Sequence, residues 1–76
     1  MTQTTVLQRW SLYTHRETGE NVLASQILSQ EDKDLVHKFI PLGSGNIVLD
    51  GDYIVLYTTT FFTMFSRNFR KAYVEL

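Results

Sequence analysis

Apolar residues are densest between residues 46 and 60, where two apolar runs flank an Asp-Gly pair at positions 50 and 51. Asp-Gly tolerates the positive φ angles of a two-residue type I′ turn, whose twist matches that of paired strands. The pattern therefore predicts a β-hairpin. Its opposed pairs are Leu49 and Asp52, Val48 and Tyr53, and Ile47 and Ile54. Both faces of this hairpin are apolar, so we expect it to lie centrally in a sheet covered on both sides.

The N-terminal part predicts a second hairpin. Residues 6–15 alternate as a strand does, and their larger apolar members share the face that we expect to point inward. That face consists of Val6, Gln8, Trp10, Leu12 and Thr14. Residues 17–19 predict a turn, because Gly19 accepts a left-handed conformation. Residues 21–28 also fit a helical stripe, but a short glycine-containing turn after a strand favours a hairpin.

Residues 29–40 carry the strongest helix signals. Ser29 can cap the helix, and Asp32 three residues later makes a weaker form of the capping box. His37 and Lys38 lie at the end where cations stabilise the helix dipole. The apolar stripe consists of Leu35, Val36, Phe39 and Ile40. Pro41 then ends the helix.

Residues 58–76 fit two alternatives. One is a helix capped by Thr59 or Thr60, with an apolar stripe of Phe61, Met64, Phe65, Asn68, Phe69 and Ala72. The other is a strand, because residues 58–65 are rich in Thr and Phe, followed by a turn at 66–68 and a final strand over 69–76. We adopt the strand alternative. The resulting ββαβββ order predicts a single α+β domain over residues 1–76, with one helix packed on an antiparallel sheet.

The chain has 76 residues, ten aromatic residues and no cysteine. A domain of this size hides only about 60% of its unfolded surface and is marginal alone. Without cysteine it has neither a disulfide nor a Cys-based zinc site. Its stability must therefore come from an aromatic-rich core or from self-association as a homodimer.

The N-terminal residues lack a positive region followed by an apolar stretch, and no apolar run approaches the roughly 18 residues of a membrane span. We therefore expect a soluble, cytoplasmic protein that does not contact membranes. The net charge is −1, with acids concentrated mid-chain and cations nearer the ends. A dedicated binder of duplex nucleic acid is usually clearly basic, so the charge does not favour that class.

Catalytic and metal-binding patterns are missing from the sequence. The two histidines, His15 and His37, fall on different predicted elements, and Asp50 and Asp52 flank a tight turn. No nucleophile, base and orienting group can be named together, so we expect no enzyme activity. The Gly-Ser-Gly at residues 43–45 lacks the Lys of a phosphate loop and follows a helix instead of preceding one. The helix dipole explains the acids Glu31, Asp32 and Asp34, so we expect no metal and no cofactor.

Cations and aromatic residues alternate near the C-terminus, at Arg67, Phe69, Arg70, Lys71 and Tyr73. Four of the five phenylalanines lie in this last third of the chain, more than one strand or helix face can bury. Arg beside aromatic residues is the composition of interface hot spots. We therefore predict that these five residues bind a partner. The alternatives are ordinary packing and a surface for single-stranded nucleic acid, which such residues bind by phosphate contacts and stacking.

The sequence thus predicts a small, non-enzymatic protein-binding module. Its size, lack of cysteine and lack of catalytic groups are typical of phage-encoded inhibitors of host machinery, antitoxins and small accessory or adaptor subunits. We expect the partner to be another protein, with self-association on the same surface as a variant of this function. Binding of single-stranded nucleic acid is the alternative.

Overall fold

Five antiparallel strands form the framework in this computed structural model, which describes residues 4–41 and 47–76. The strands are β1 (Ser11–His15), β2 (Asn21–Gln26), β3 (Tyr53–Tyr57), β4 (Thr60–Met64) and β5 (Tyr73–Glu75). Their spatial order is β4-β3-β2-β1-β5. The helices are α1 (Gln30–Phe39) and α2 (Ser66–Ala72), and a short 3-10 helix spans Val6–Gln8. The predicted α+β class is confirmed. The predicted loop at 43–45 lies outside the described residues.

The N-terminal hairpin is confirmed, with β1 and β2 joined by a turn in which Gly19 has φ +76. The predicted start of the first strand is wrong, because residues 6–8 form a 3-10 helix, in which the Gln8 N–H donates to the Thr5 C=O at 2.9 Å. Trp10 packs against the core as predicted. Leu12 does not, since 45% of it is exposed.

Helix α1 forms where its end signals predict it. The Ser29 Oγ accepts the Asp32 N–H at 3.1 Å. Ile40 follows the helix in an extended conformation, which is what a residue before proline prefers. The predicted stripe is right for the buried Val36 and Ile40 but wrong for Phe39, which is 59% exposed. Neither α1 nor any other helix of the described residues is long and apolar enough to cross a membrane.

The turn at Asp50 and Gly51 exists, but the hairpin predicted around it does not. The Asp52 N–H donates to the Leu49 C=O at 3.1 Å, while residues 47–49 form no strand. The segment that continues β2 bonds to this part of the chain instead, since the Ile27 N–H donates to the Asp52 C=O at 2.7 Å. Strand β3 therefore pairs with β2 and β4. It is an interior strand of the sheet, and its residues 53–55 are buried on both faces, as predicted.

The C-terminal third combines the two alternatives. The Thr- and Phe-rich run forms strand β4, as we expected, after a two-residue turn at Thr58 and Thr59. The expected turn at 66–68 and long final strand are wrong, because residues 66–72 form α2 and only three residues remain for β5. Arg, Lys and Ala favour helix, and the two cations of the last turn stabilise the helix dipole. The observed order is ββαββαβ, with two helices.

Each helix covers one face of the sheet, and the two faces have different cores. The aliphatic layer lies beneath α1 and consists of Val6, Ile27, Val36, Ile40, Val48 and Ile54. The aromatic layer lies beneath α2 and consists of Val22, Ala24, Tyr53, Val55 and Phe69, with Tyr13, Phe62, Met64 and Tyr73 at its margin. Consecutive residues Ile54 and Val55 belong to different layers because side chains alternate along β3.

The Asp32 carboxylate ties the aliphatic layer to the N-terminal segment. Its oxygens accept the Val6 N–H at 3.0 Å, the Leu28 N–H at 3.0 Å and the Arg9 guanidinium at 2.7 Å. Burial by itself raises the pKa of Asp32, but the hydrogen bonds from Arg9 and the two backbone groups outweigh it and hold the pKa below its usual range. Asp32 is 3% exposed, so it serves the fold and not an acidic binding surface.

Candidate functional site

The five residues predicted to bind a partner divide between the surface and the core. Arg67, Arg70 and Lys71 are exposed on α2, and Tyr73 is half-buried at the start of β5. Phe69 is 1% exposed. Its ring closes the aromatic layer, so Phe69 offers a partner almost no exposed surface.

Phe69 is held by rings on three sides. Its ring stacks on Tyr53 with centroids 4.0 Å apart and on Tyr73 at 5.0 Å. The ring of Tyr13 meets it edge-on at 4.8 Å. Stacked and edge-to-face pairs are favourable beyond the area that they bury. This cluster fixes α2 against β1, β3 and β5, and so fixes where the cations of α2 lie.

A groove of about 280 Å³, the tyrosine groove, opens beside this cluster. Its lining consists of Tyr13, Arg16, Tyr53, Phe69, Arg70, Tyr73, Val74 and Glu75. Burial, with Glu75 and Tyr53 nearby, raises the pKa of Tyr13, and burial together with Glu20 raises the pKa of Tyr73. Both hydroxyls therefore stay protonated at neutral pH and can donate hydrogen bonds to a carboxylate or a carbonyl group.

A second hollow of about 380 Å³ shares the side chain of Arg16 with the tyrosine groove. Its lining consists of His15, Arg16, Glu17, Lys71 and Ala72. The backbone N–H of Arg16 donates to the Ala72 C=O at 2.8 Å, which joins the end of β1 to the end of α2. The two concavities thus form one surface with Arg16 between them. Arg67 lines neither.

The cations around this surface form no ion pair with any acid among the described residues. The two ion pairs among the described residues join Arg9 to Asp32 at 2.7 Å and Lys33 to Asp50 at 2.9 Å. Arg16, Arg67, Arg70 and Lys71 belong to neither pair. The linings contain three of these cations and two acids, so the surface has a net positive charge that can attract an anionic partner.

His15 lies at this surface but serves the turn after β1. Its Nδ1 accepts the backbone N–H groups of Glu17 at 3.2 Å and Thr18 at 3.3 Å. Within residues 4–41 and 47–76, no three His, Asp or Glu side chains gather where they could hold a metal ion. The groups that line this surface are cations, acids and aromatic side chains.

Sequence reasoning missed Arg16, Tyr13 and Tyr53 at this surface. Tyr13 and Arg16 reach it because β5 pairs antiparallel with β1. Tyr53 reaches it from β3, which is joined to β1 through β2. The β1–β5 pairing brings residues from opposite ends of the chain together, so no pattern within a short stretch of sequence predicts it. The alternation of β1 was a usable signal, since it places Tyr13 on the face opposite Trp10 and Leu12.

An exposed apolar row crosses the other face of the sheet. Register places Leu12, Leu23, Leu56 and Phe61 side by side on neighbouring strands. Leu76 extends the row, because its N–H donates to the Leu12 C=O at 3.0 Å. Leu12, Leu23 and Leu76 are 45%, 38% and 69% exposed. We call this set the leucine row.

Comparison of the chain with protein-family models, with curated proteins and with solved structures finds no match in any of the three.

Proposed function

We propose that this chain is a non-enzymatic, cytoplasmic protein-binding module of the inhibitor or accessory-adaptor kind, such as phages encode. Its partner is a protein with acidic groups, which binds over the tyrosine groove. The observation that carries this proposal is the set of cations without ion-pair partners around tyrosine side chains. Arg and Tyr dominate interface hot spots, and a positive patch speeds encounter with a negative one.

Burial distinguishes the residues that hold the shape of this surface from those that can contact a partner. Phe69 and Tyr53 hold the shape of the groove, since both are buried. Arg16, Arg70 and Lys71 lie around it and reach solvent. The partner therefore meets cations and hydroxyl groups on a fixed aromatic base. Little side-chain ordering is needed in the base, which favours affinity.

Single-stranded nucleic acid is the alternative partner, and the same four cations favour it. Bases also need exposed ring faces on which to stack. Phe69 offers none, because Tyr53 and Tyr73 stack on it. Tyr73 is half-buried. This arrangement supports phosphate contacts better than base stacking, so we place a protein partner first.

Capture from the native host with three baits tests the proposal. The baits are the natural chain, Arg70→Glu with Lys71→Glu, and a control with Lys33→Glu and Lys38→Glu on α1. The two variants change the net charge equally. We expect mass spectrometry to find a protein held by the natural chain and the control but lost from the α2 variant. Equal capture by all three baits would place binding elsewhere, with the leucine row as the next surface.

Salt dependence separates the two kinds of partner. An oligothymidylate that contacts three or four cations loses affinity with a log–log slope of about −2 to −3, since each contact contributes about −0.7. A protein interface that also uses aromatic contact has a shallower slope. Tight, steeply salt-dependent binding of the oligonucleotide would favour the alternative.

A further inference from the structure

Strand β4 is an open edge of the sheet. The Ile27 N–H donates to the Asp52 C=O, so Asp52 directs its backbone C=O toward β2. Backbone groups alternate in direction along a strand, so Ile54 and Leu56 also direct theirs toward β2. Val55 and Tyr53 then face β4 and bond to Phe62 and Met64. By the same alternation, the backbone N–H and C=O groups of Phe61 and Thr63 point away from the sheet. Among the described residues no hydrogen bond takes up these four groups.

The two edges of the sheet differ in how they are protected. Natural proteins guard edges with short strands, charges, proline or bulges. Edge strand β5 has three residues and carries Glu75. Strand β4 has five residues, Thr-Phe-Phe-Thr-Met, with no charge, proline or glycine. It therefore has none of the features that prevent another strand from pairing with it.

We propose that a second copy of this chain pairs its own β4 with this edge, antiparallel and about a two-fold axis at Phe62. In that register Phe61 lies opposite Thr63 of the second copy, and Thr63 lies opposite the second copy's Phe61. All four outward N–H and C=O groups of each strand then find partners, forming four hydrogen bonds across the axis. Phe62 meets its own counterpart in a pair without hydrogen bonds, where side chains approach most closely.

The self-complementary register is what favours a second copy over an unrelated strand. A two-fold interface must match a surface to itself, and β4 does so with every outward group paired. The absence of charge on β4 means that no like charges oppose each other. A five-residue edge is small beside a standard interface, so the dimer is weak. No residue of β4 lines the tyrosine groove. The dimer can therefore be tested independently of the proposed partner binding.

Amide hydrogen exchange at rising protein concentration tests the pairing directly. We expect the amides of Phe61 and Thr63 to exchange fast in dilute solution and to become protected as the dimer forms. The amide of Glu75 points outward at the other edge and is the internal control, since it stays unprotected. The Tyr73 amide cannot serve as a second control, because it donates to the Phe69 C=O at the end of α2. Protection of both edges alike, or of neither at any concentration, would overturn the proposal.

Sedimentation of three variants assigns the surface. Thr63→Pro removes an outward donor without touching the ladder to β3, and Thr63→Lys adds the charge that edges commonly carry. Each should raise the dimer dissociation constant at least tenfold, and Thr63→Lys remains decisive if the proline variant fails to fold. Glu75→Pro should leave the constant unchanged. A dimer that survives both Thr63 variants but is lost in Leu23→Gln would place self-association on the leucine row and contradict the β4 pairing.

Discussion

The two faces of the sheet are covered to different degrees. Beneath α1, the aliphatic layer contains several fully buried side chains and the bonded carboxylate of Asp32. Beneath α2, a seven-residue helix contributes one buried residue, Phe69. Helix α1 has a side-chain cap and acids in its first turn, whereas α2 has neither. Helix α1 is thus held to the sheet by several buried groups, whereas α2 is held to the aromatic layer by one buried side chain beside an open groove.

The largest expected effect tests that dependence on one anchor. Phe69→Ala removes the ring that stacks on Tyr53 and Tyr73, and we expect it to lower the free energy of unfolding by about 4 kcal/mol. Phe65→Ala is the matched control, because Phe65 is 57% exposed. It should change stability by less than about 0.5 kcal/mol. Urea unfolding monitored by circular dichroism measures both, and similar losses in the two variants would contradict the single-anchor description.

The next effect concerns the carboxylate of the aliphatic layer. Asp32→Ala leaves the N–H groups of Val6 and Leu28 without their acceptor and Arg9 without its counter-charge. We expect a loss of about 3 kcal/mol, because unpaired buried groups carry a desolvation cost. The exposed Asp34 on the same helix provides the control, and Asp34→Ala should cost less than about 0.5 kcal/mol. If Asp32→Ala lowered the free energy of unfolding no more than Asp34→Ala does, water would be replacing the carboxylate, and this description of Asp32 would be wrong.

Acidity tests the same group when the natural chain is compared with Asp32→Ala, because the titration of the other acids is common to both proteins. The pKa of Asp32 is lowered in the folded state, so its stabilising contribution is present above the unfolded pKa of about 3.9. The contribution disappears as the pH falls through the folded pKa. The stability difference between the natural chain and Asp32→Ala should therefore be complete at pH 6 and shrink below about pH 4. A difference that grows on acidification would have the wrong sign.

A smaller effect lies in the β3–β4 turn, outside both layers. Thr58 is the one described residue other than glycine with a positive φ, at +54, a conformation that strains a β-branched side chain. Thr58→Gly removes this strain and should raise the free energy of unfolding by about 1 kcal/mol. Thr59→Gly, at the neighbouring turn position, should instead lower it by about 0.5 kcal/mol through added chain entropy. Thermal unfolding of the two variants distinguishes them.

Local signals account for what the sequence predicted well. Helix α1 follows from Ser29 at one end and Pro41 at the other, and the turn at residue 19 follows from glycine. The Asp50-Gly51 turn was predicted, but its strand partner was not, because β2 competes for the same backbone groups from outside the local window. The site shows the same limit. Arg70 and Lys71 could be singled out along the chain, whereas Arg16 joins them only through the β1–β5 pairing.

The central claim is that the open surface of the aromatic layer binds the partner while its buried rings hold the fold. Calorimetric titration of the captured partner against Arg70→Glu with Lys71→Glu, alongside unfolding of the same variant, tests it most directly. We expect affinity to fall more than tenfold, or about 1.4 kcal/mol, while the variant stays folded and loses only the modest stability that reversing the two last-turn charges of α2 removes. The control variant with Lys33→Glu and Lys38→Glu should bind normally. Unchanged affinity in the α2 variant, or a loss of affinity that only follows unfolding, would contradict the claim.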